Sequence, residues 1–203
     1  MSEQEEPAER TLVIACGMLA REVLALKEQL ALDHLDLTCL PAGHHFAPQR
    51  IAPDMERAIA DARARGYSRI VAGFADCGTG GMLDKVLDAH GVERLAGPHC
   101  FAFYQNLERF EAAGDADMLA FYMTDFLCRN FETFFLRPLG LDRHPELAAD
   151  YFGNYEKLVY LAQTEDPELD RVAESAASML GLSYERRFTG YGDLGPFLAR
   201  TGA

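Results

Sequence analysis

Short apolar runs alternate with amphipathic stretches along the first half of the chain. Residues 11–15 and 69–72 are continuous apolar runs, and residues 34–40 alternate between apolar and polar positions. Continuous runs are typical of strands in a parallel sheet that is covered on both faces, and alternation also predicts a strand. Each run is followed by apolar residues at helical spacing, at 18–30, about 53–65 and 82–90. Three such alternations favour an α/β fold with a doubly wound, Rossmann-like and mostly parallel sheet.

The chain changes character after residue 107. Residues 118–135 are dense in Phe, Tyr, Met and Leu that recur at i, i+3 and i+4, a pattern that predicts a buried helix. A second helix is predicted at about 145–154. Because neither segment has the character of a strand, we expect a helical insertion or cap over the sheet at about 107–155.

Strand character returns in the last third of the chain. Residues 157–162 and 182–188 read as strands, on either side of a helix whose first turn contains Pro167. The N-terminal residues 1–10 are rich in Ser and Glu and read as a disordered tail. We therefore predict one α/β domain over residues 11–203 that carries the cap.

The negative net charge of the chain limits the kinds of molecule that it is expected to bind. The chain has 32 acidic and 19 basic residues, which gives a formal net charge of -13. Because nucleic acids and anionic lipid surfaces attract basic proteins, we expect no nucleic-acid and no membrane partner. No apolar run reaches the roughly 20 residues of a transmembrane helix, and the N-terminus lacks the features of a signal peptide. These observations predict a cytoplasmic protein.

A glycine-rich loop, residues 73–81, joins the third predicted strand to the next helix. It reads GFADCGTGG and is expected at the carboxyl edge of the sheet, where open α/β sheets bind ligands. Glycines let the backbone approach a ligand closely, and a helix N-terminus offers N–H groups to an anion. We therefore predict cofactor binding at Gly78, Thr79, Gly80 and Gly81. The loop lacks the P-loop and dinucleotide-binding patterns, so a plain glycine-rich turn is the alternative.

Three of the five cysteines are expected at the same sheet edge. Cys16 ends the first strand, Cys77 lies in the glycine-rich loop, and Cys100 follows His99 at the mouth of the next element. The loop that contains His45 opens on the same edge, because parallel strands have all their carboxyl ends on one side. Cysteine and histidine are the ligands of zinc and other thiophilic metals. No CxxC or HExxH spacing is present, so burial of these residues without a metal is the alternative.

The other two cysteines have a simpler interpretation. Cys39 lies within a predicted strand and Cys128 within a predicted apolar helix. Both are predicted to be buried small hydrophobes. An odd number of cysteines also argues against a framework of disulfides.

Three acidic residues stand near candidate chemistry. Glu22 lies on the first turns of the helix after Cys16. Asp76 is able to orient a ligand, to act as a base or to cap the next helix, and capping is the commoner role. Asp125 lies in an apolar segment and needs a partner if it is buried, for which Arg129 is the candidate.

Several short motifs occur in a characteristic order. They read ACGMLARE at 15–22, LP at 40–41 before His45, DCGTGG at 76–81, GPHC at 97–100, FYMTDF at 121–126, YFGNY at 151–155, LVYLA at 158–162 and FTGYGD at 188–193. Together they resemble the domain-of-unknown-function family numbered 1638, over nearly the whole chain after the tail. The family pattern Leu-His-Asn-x-Pro reads HHFAP here, so Phe46 replaces the asparagine and an extra histidine stands at position 44.

The resemblance implies a link to one-carbon metabolism. Members of this family are often encoded near corrinoid proteins and corrinoid-dependent methyltransferases, so the expected partners are a small-molecule substrate and a corrinoid protein or methyltransferase. A Lewis-acid metal, most simply Zn²⁺, would lower the pKa of a substrate thiol or amine for methyl transfer. The expected ligands are Cys16, Cys77, Cys100 and one histidine, for which we favour His99 and keep His45 as the alternative. The expected catalytic residues are His45, Asp76 and Glu22.

Two other functions fit the same sequence. One is a non-catalytic metal-binding accessory or assembly protein for a corrinoid methyltransferase system. The other is a structural or partner-binding domain with reduced cysteines. Four protein ligands around a metal would favour the accessory protein, whereas three ligands and an open position would favour the enzyme.

The net charge leads to a first prediction. Labelled duplex DNA should not bind the protein at moderate salt, because an acidic surface does not displace the counterions whose release drives DNA binding. Fluorescence anisotropy at protein concentrations up to about 100 µM, a range that covers ordinary non-specific binding, measures this. A salt-sensitive rise in anisotropy in that range would contradict the prediction.

Overall fold

The computed structural model describes residues 10–202, apart from the side chains of residues 115, 116 and 202. The chain divides into two compact units. One comprises the chain up to Phe103 together with the segment from Asp193, and the other is Tyr104–Gly192. The predicted tail, residues 1–10, lies outside the described residues except for Arg10. Both units combine parallel strands with helices, which confirms the predicted fold class.

The first unit has a parallel sheet with the strand order β2-β1-β3-β4. Its strands are β1 (Thr11–Cys16), β2 (Leu35–Leu40), β3 (Arg69–Gly73) and β4 (Glu93–Arg94). In β1, Thr11 pairs with Leu35 on one side and with Arg69 on the other. The neighbouring residues Val13 and Ile14 point to opposite faces of the sheet, and both are completely buried. Both faces of β1 are therefore covered, which explains its continuous apolar run.

Helices cover both faces of this sheet. They are α1 (Ala20–Gln29), α2 (Ile51–Ala64), α3 (Met82–His90), α4 (Cys100–Tyr104) and, from the C-terminal segment, α9 (Leu194–Ala199). Short 3₁₀ turns occupy Gly17–Leu19, Ala42–Phe46, Pro48–Arg50 and Arg200–Gly202. On one face, Met55 and Ile59 of α2 and Leu83 of α3 share a buried core with Ile14 and Phe74.

The order of the strands reverses at β1. The connection through α1 leads to β2 on one side, and the connection through α2 leads to β3 on the other. Right-handed crossovers in opposite directions place the two helices on opposite faces of the sheet. This geometry leaves a crevice at the carboxyl ends of β1 and β3, where open α/β sheets bind their ligands.

The second unit has its own parallel sheet. Its strands, in the order β5-β6-β7, are β5 (Ala120–Thr124), β6 (Lys157–Ala162) and β7 (Ser183–Phe188). Its helices are α5 (Leu107–Ala113), α6 (Asp125–Arg129), α7 (Ala148–Phe152) and α8 (Pro167–Leu180), with short turns at Gly114–Asp117, Glu132–Leu136 and Pro145–Leu147. Within residues 10–202, the strands thus form two parallel sheets. Among the described residues, no helix has the length and apolar character needed to span a bilayer.

The prediction of one buried helix over residues 118–135 is wrong. Ala120–Thr124 is a strand that pairs with β6, where Phe121 lies opposite Leu158, and the helix α6 begins only at Asp125. The segment is rich in aromatic residues, which are favoured in strands as well as in buried helices. Periodicity alone does not separate the two when an apolar run is short, so the pairing with β6 decided the outcome.

A buried carboxylate links the ends of β5 and β6. Asp125 is fully buried, and its Oδ1 accepts hydrogen bonds from the Tyr160 hydroxyl at 2.7 Å and the Gln163 N–H at 3.0 Å. Its Oδ2 accepts a bond from the Thr164 hydroxyl at 2.5 Å. The predicted partner Arg129 lies farther away, with 3.6 Å between its guanidinium nitrogen and Oδ2. Asp125 is thus a structural residue of the second unit.

Replacement of Asp125 by alanine should lower the free energy of unfolding by about 3–5 kcal/mol, because it leaves the buried Tyr160 hydroxyl and its neighbours without an acceptor. The change Tyr160→Phe, which removes one of the bonds, should cost about 1 kcal/mol. Urea unfolding followed by circular dichroism measures both values. The matched control is Asp150→Ala at an exposed position of α7; a loss in Asp125→Ala no larger than in this control would contradict the structural role.

Candidate functional site

A cavity of about 250 Å³ lies at the carboxyl ends of β1 and β3. Its apolar wall is formed by Met18, Leu19, Ile51, Phe74, Phe101 and Phe103. Its polar wall is formed by three cysteines and three histidines, Cys16, Cys77, Cys100, His44, His45 and His99. The cavity lies at the crevice that the reversal of strand order creates. The cysteines and histidines that the sequence placed at this edge therefore all line one cavity.

Cys16 lies where β1 ends and the turn Gly17–Leu19 begins. The backbone N–H of Met18 donates a hydrogen bond to its sulfur. Burial raises the pKa of Cys16 to about 12. The bond from Met18 acts to lower the pKa, and the nearby Cys77 raises it by less than this bond lowers it. The thiol is therefore neutral at pH 7 in the absence of a cation.

Cys77 has a strained backbone at the strand-to-helix turn. Its φ angle is +50°, a left-handed conformation that residues other than glycine rarely adopt. Two hydrogen bonds hold the turn, from the Asp76 N–H to the Gly97 carbonyl at 3.1 Å and from the Cys77 N–H to the Pro98 carbonyl at 2.8 Å. Strain of this kind persists only where the surrounding contacts hold the backbone in place, and it is frequent at functional sites.

Cys100 begins α4 next to Cys77. Its backbone N–H donates a hydrogen bond to the Cys77 sulfur. Burial raises the pKa of Cys100 well above its ordinary value, and the charges of Cys77 and Cys16 in their thiolate forms raise it further. Burial likewise raises the pKa of Cys77. The three thiols are thus close enough for each to disfavour ionisation of its neighbours.

The side chains do not yet form a metal-ligand set. Across residues 10–202, no three Cys, His, Asp or Glu side chains are arranged so that they could hold one metal ion. The structure therefore brings the predicted ligands Cys16, Cys77, Cys100 and His99 to one cavity, and their joint ligation of a metal stays a prediction.

The two histidines named by the sequence analysis lie at the cavity. His45 is partly exposed, and its ring packs edge-on against Phe46 at 5.1 Å. His99 is half-buried, with its ring 5.5 Å from that of Phe101. Desolvation in the crowded surroundings lowers the pKa of both histidines. Both rings are therefore neutral at pH 7, as ligation of a metal requires.

A third histidine, His44, was noted in the sequence only as an extra residue. It is buried, it lines the cavity, and its Nε2 lies 2.7 Å from Oδ2 of Asp54. Asp54 is on the first turn of α2 and also pairs with Arg57. Sequence reasoning missed this pair because no motif connects the two residues; the acidic first turn of α2 was the one available signal.

Asp76 organises the glycine-rich loop rather than the cavity wall. Its carboxylate accepts hydrogen bonds from the Thr79 hydroxyl at 2.6 Å, the Gly81 N–H at 2.9 Å and the Gly80 N–H at 3.2 Å. Burial acts to raise the pKa of Asp76, but these bonds outweigh it and lower the pKa. Of the four residues predicted to bind a cofactor, Gly78 lines the cavity, whereas Gly80 and Gly81 already use their N–H groups on Asp76. The geometry thus favours the capping role of Asp76.

Three further residues named in the sequence analysis, Glu22, Cys128 and Cys39, differ in burial. Glu22 is buried in α1, and its charge is one of the smaller causes, after burial, that raise the pKa of Cys16. Cys128 is buried in α6 of the second unit, as predicted. The prediction that Cys39 is buried is wrong, because β2 is an edge strand and leaves this side chain exposed.

Comparison with known proteins identifies a family and no function. Residues 39–198 match the model of a family described as protein of unknown function, DUF1638. No curated protein and no solved structure matches the chain.

The hydrogen bonds of Asp76 lead to a prediction about pH. The change Asp76→Ala should lower the free energy of unfolding by about 1–2 kcal/mol at pH 7, because three donors of the loop lose their acceptor. Since the pKa of Asp76 is lowered from 3.8 in the folded state, its contribution is present above 3.8 and is lost as the pH falls through the folded-state pKa. Denaturant unfolding at pH 7 and in steps below pH 3.8 should show the difference between wild type and variant shrink.

The matched control is Asp61→Ala at an exposed position in the last turn of α2, which should change stability by less than about 0.5 kcal/mol. A difference for Asp76→Ala that does not vary with pH, or that equals the control, would exclude the capping role.

Proposed function

The chain belongs to the DUF1638 family, and we propose that its first unit binds a thiophilic metal ion, most simply Zn²⁺, through Cys16, Cys77 and Cys100. The observation that carries this proposal is the meeting of three thiols from three separate segments in one cavity. A single buried cysteine is an ordinary small hydrophobe. Three that line the same small cavity next to histidines are a donor set.

The chemistry of the donors suits a soft cation. The described residues of the cavity wall include thiols and imidazoles but no carboxylate, and this combination favours zinc over magnesium or calcium. The raised pKa values show that the three thiolates would be unstable together without a positive charge among them. A bound cation would supply that charge and release the thiol protons.

The donor types fit the metal, but the sulfurs have to turn toward a common point. Each cysteine has one side-chain torsion that moves its sulfur between staggered positions. Neutral thiols do not attract one another strongly, so we expect the three sulfurs to point in different directions when no cation is bound. The hydrogen bond from the Cys100 N–H to the Cys77 sulfur already holds two of the segments together.

The apolar part of the cavity is the proposed place for a small molecule. The side chains of Met18, Phe74 and Phe101 would bury the hydrocarbon part of such a molecule and exclude water. When bound beside it, the metal would act as a Lewis acid that lowers the pKa of a thiol or amine. The proposed link to corrinoid-dependent methyl transfer rests on the family resemblance, and a non-catalytic accessory protein is the alternative use of the same site.

Metal analysis tests the proposal. Protein purified without a histidine tag and reconstituted with Zn²⁺ should hold about one equivalent of zinc after gel filtration. Each of the changes Cys16→Ser, Cys77→Ser and Cys100→Ser should lower the affinity by more than about 100-fold, because serine is a poor zinc ligand.

The two other cysteines provide the controls. Cys39→Ala and Cys128→Ala should keep the zinc and cost only packing, about 1–2 kcal/mol at the buried Cys128. Absence of zinc from the reconstituted wild type, or its retention in all three serine variants, would refute the proposal. Loss of zinc in a folded control variant would show that the ligands are assigned wrongly.

A further inference from the structure

The pair formed by His44 and Asp54 places a hydrogen-bonded imidazole and carboxylate at the cavity. The two residues come from the turn Ala42–Phe46 and from the first turn of α2. The side chain of His44 is 6% exposed and that of Asp54 is 14% exposed, and 2.7 Å separates Nε2 from Oδ2. His45, by contrast, is partly exposed at the mouth and packs against Phe46.

The hydrogen bond defines which nitrogen of His44 is available. Asp54 lies between two donors, because Arg57 donates a hydrogen bond to its Oδ1 and Nε2 of His44 lies against its Oδ2. An ionised carboxylate only accepts hydrogen bonds, so Nε2 carries the proton that it donates to Asp54. In the neutral ring, Nδ1 then has its lone pair free for a ligand.

This arrangement is the one in which proteins hold a metal-binding histidine. A histidine that ligates a metal almost always donates its other N–H to a carboxylate or a carbonyl, which fixes the ring and strengthens the ligand. His44 satisfies that requirement, it is buried, and it lines the same cavity as the three thiols.

We propose that His44 is the imidazole ligand of the thiol cavity and that Asp54 orients it from behind. This inference rests on the proposed function and extends it, because it replaces His99 as the expected fourth ligand. Three thiolates and one imidazole form a closed tetrahedral set. A small molecule would then bind the ion either by displacing His44 or as a fifth ligand. The site would therefore have to open at the position of His44 or at the ion itself.

Cobalt titration of the metal-free protein tests the proposal. Co²⁺ replaces Zn²⁺ in tetrahedral sites, and its thiolate charge-transfer bands report sulfur ligands separately from nitrogen ligands. His44→Ala should weaken Co²⁺ binding by at least about 100-fold, and Asp54→Asn, which leaves the ligand in place, should weaken it by about 10–100-fold. His99→Ala removes the alternative ligand and should bind within about threefold of the wild type if His44 is the ligand. His90→Ala, at the end of α3 and not part of the cavity wall, is the matched control.

A ligand exchange separates ligation from a structural role. His44→Cys should retain Co²⁺ and gain charge-transfer intensity, since Cys₄ sites are common for zinc. Loss of packing around His44 would not produce this gain. Circular dichroism establishes that each variant is folded, and Asp54→Asn provides a milder change if His44→Ala does not fold.

The outcomes distinguish this inference from the proposed function. Thiolate bands and wild-type affinity in His44→Ala, together with loss in His99→Ala, would overturn the inference and leave the thiol site intact. A His44→Cys variant that binds Co²⁺ without added intensity would also overturn it. Absence of thiolate bands in the wild type would refute both proposals together.

Discussion

The position of β1 between β2 and β3 is the constraint on which the candidate site depends. Because β1 pairs with β2 on one side and β3 on the other, the connection from β1 to β2 and the connection from β2 back across β1 to β3 run in opposite directions and cover opposite faces. This reversal of direction leaves a crevice at the carboxyl ends of β1 and β3. Cys16 at the end of β1 and Cys77 after β3 face this crevice as a direct result of the strand order.

The electrostatics of the site follow from that placement. A crevice walled by apolar side chains has a low dielectric constant, so a buried thiolate is costly and each additional one is more so. Cys16, Cys77 and Cys100 therefore stay neutral in the protein alone. A soft cation bound among them, as we propose, would make the three thiolates favourable together.

The hydrogen bonds of the loops explain how the thiols are held in place. Asp76 gathers Thr79, Gly80 and Gly81 around its carboxylate, and the turn behind it pairs with the backbone of the loop at 97–98. These bonds keep Cys77 in a left-handed conformation that its side chain disfavours. The glycines thus act mainly by letting the backbone fold around Asp76, and the cysteine is placed as a consequence.

The sequence by itself determined the strands β1, β2 and β3 of the first unit and the sheet edge at which Cys16, Cys77, Cys100 and the histidines gather, because apolar runs and loop residues are local signals. It did not determine that residues 120–124 form a strand, since that depended on pairing with β6. It also did not show that Cys39 is exposed on an edge strand, or that His44 has Asp54 as its partner. Burial and partner choice are properties of residues that meet only when the chain folds, so the tertiary structure alone decided them.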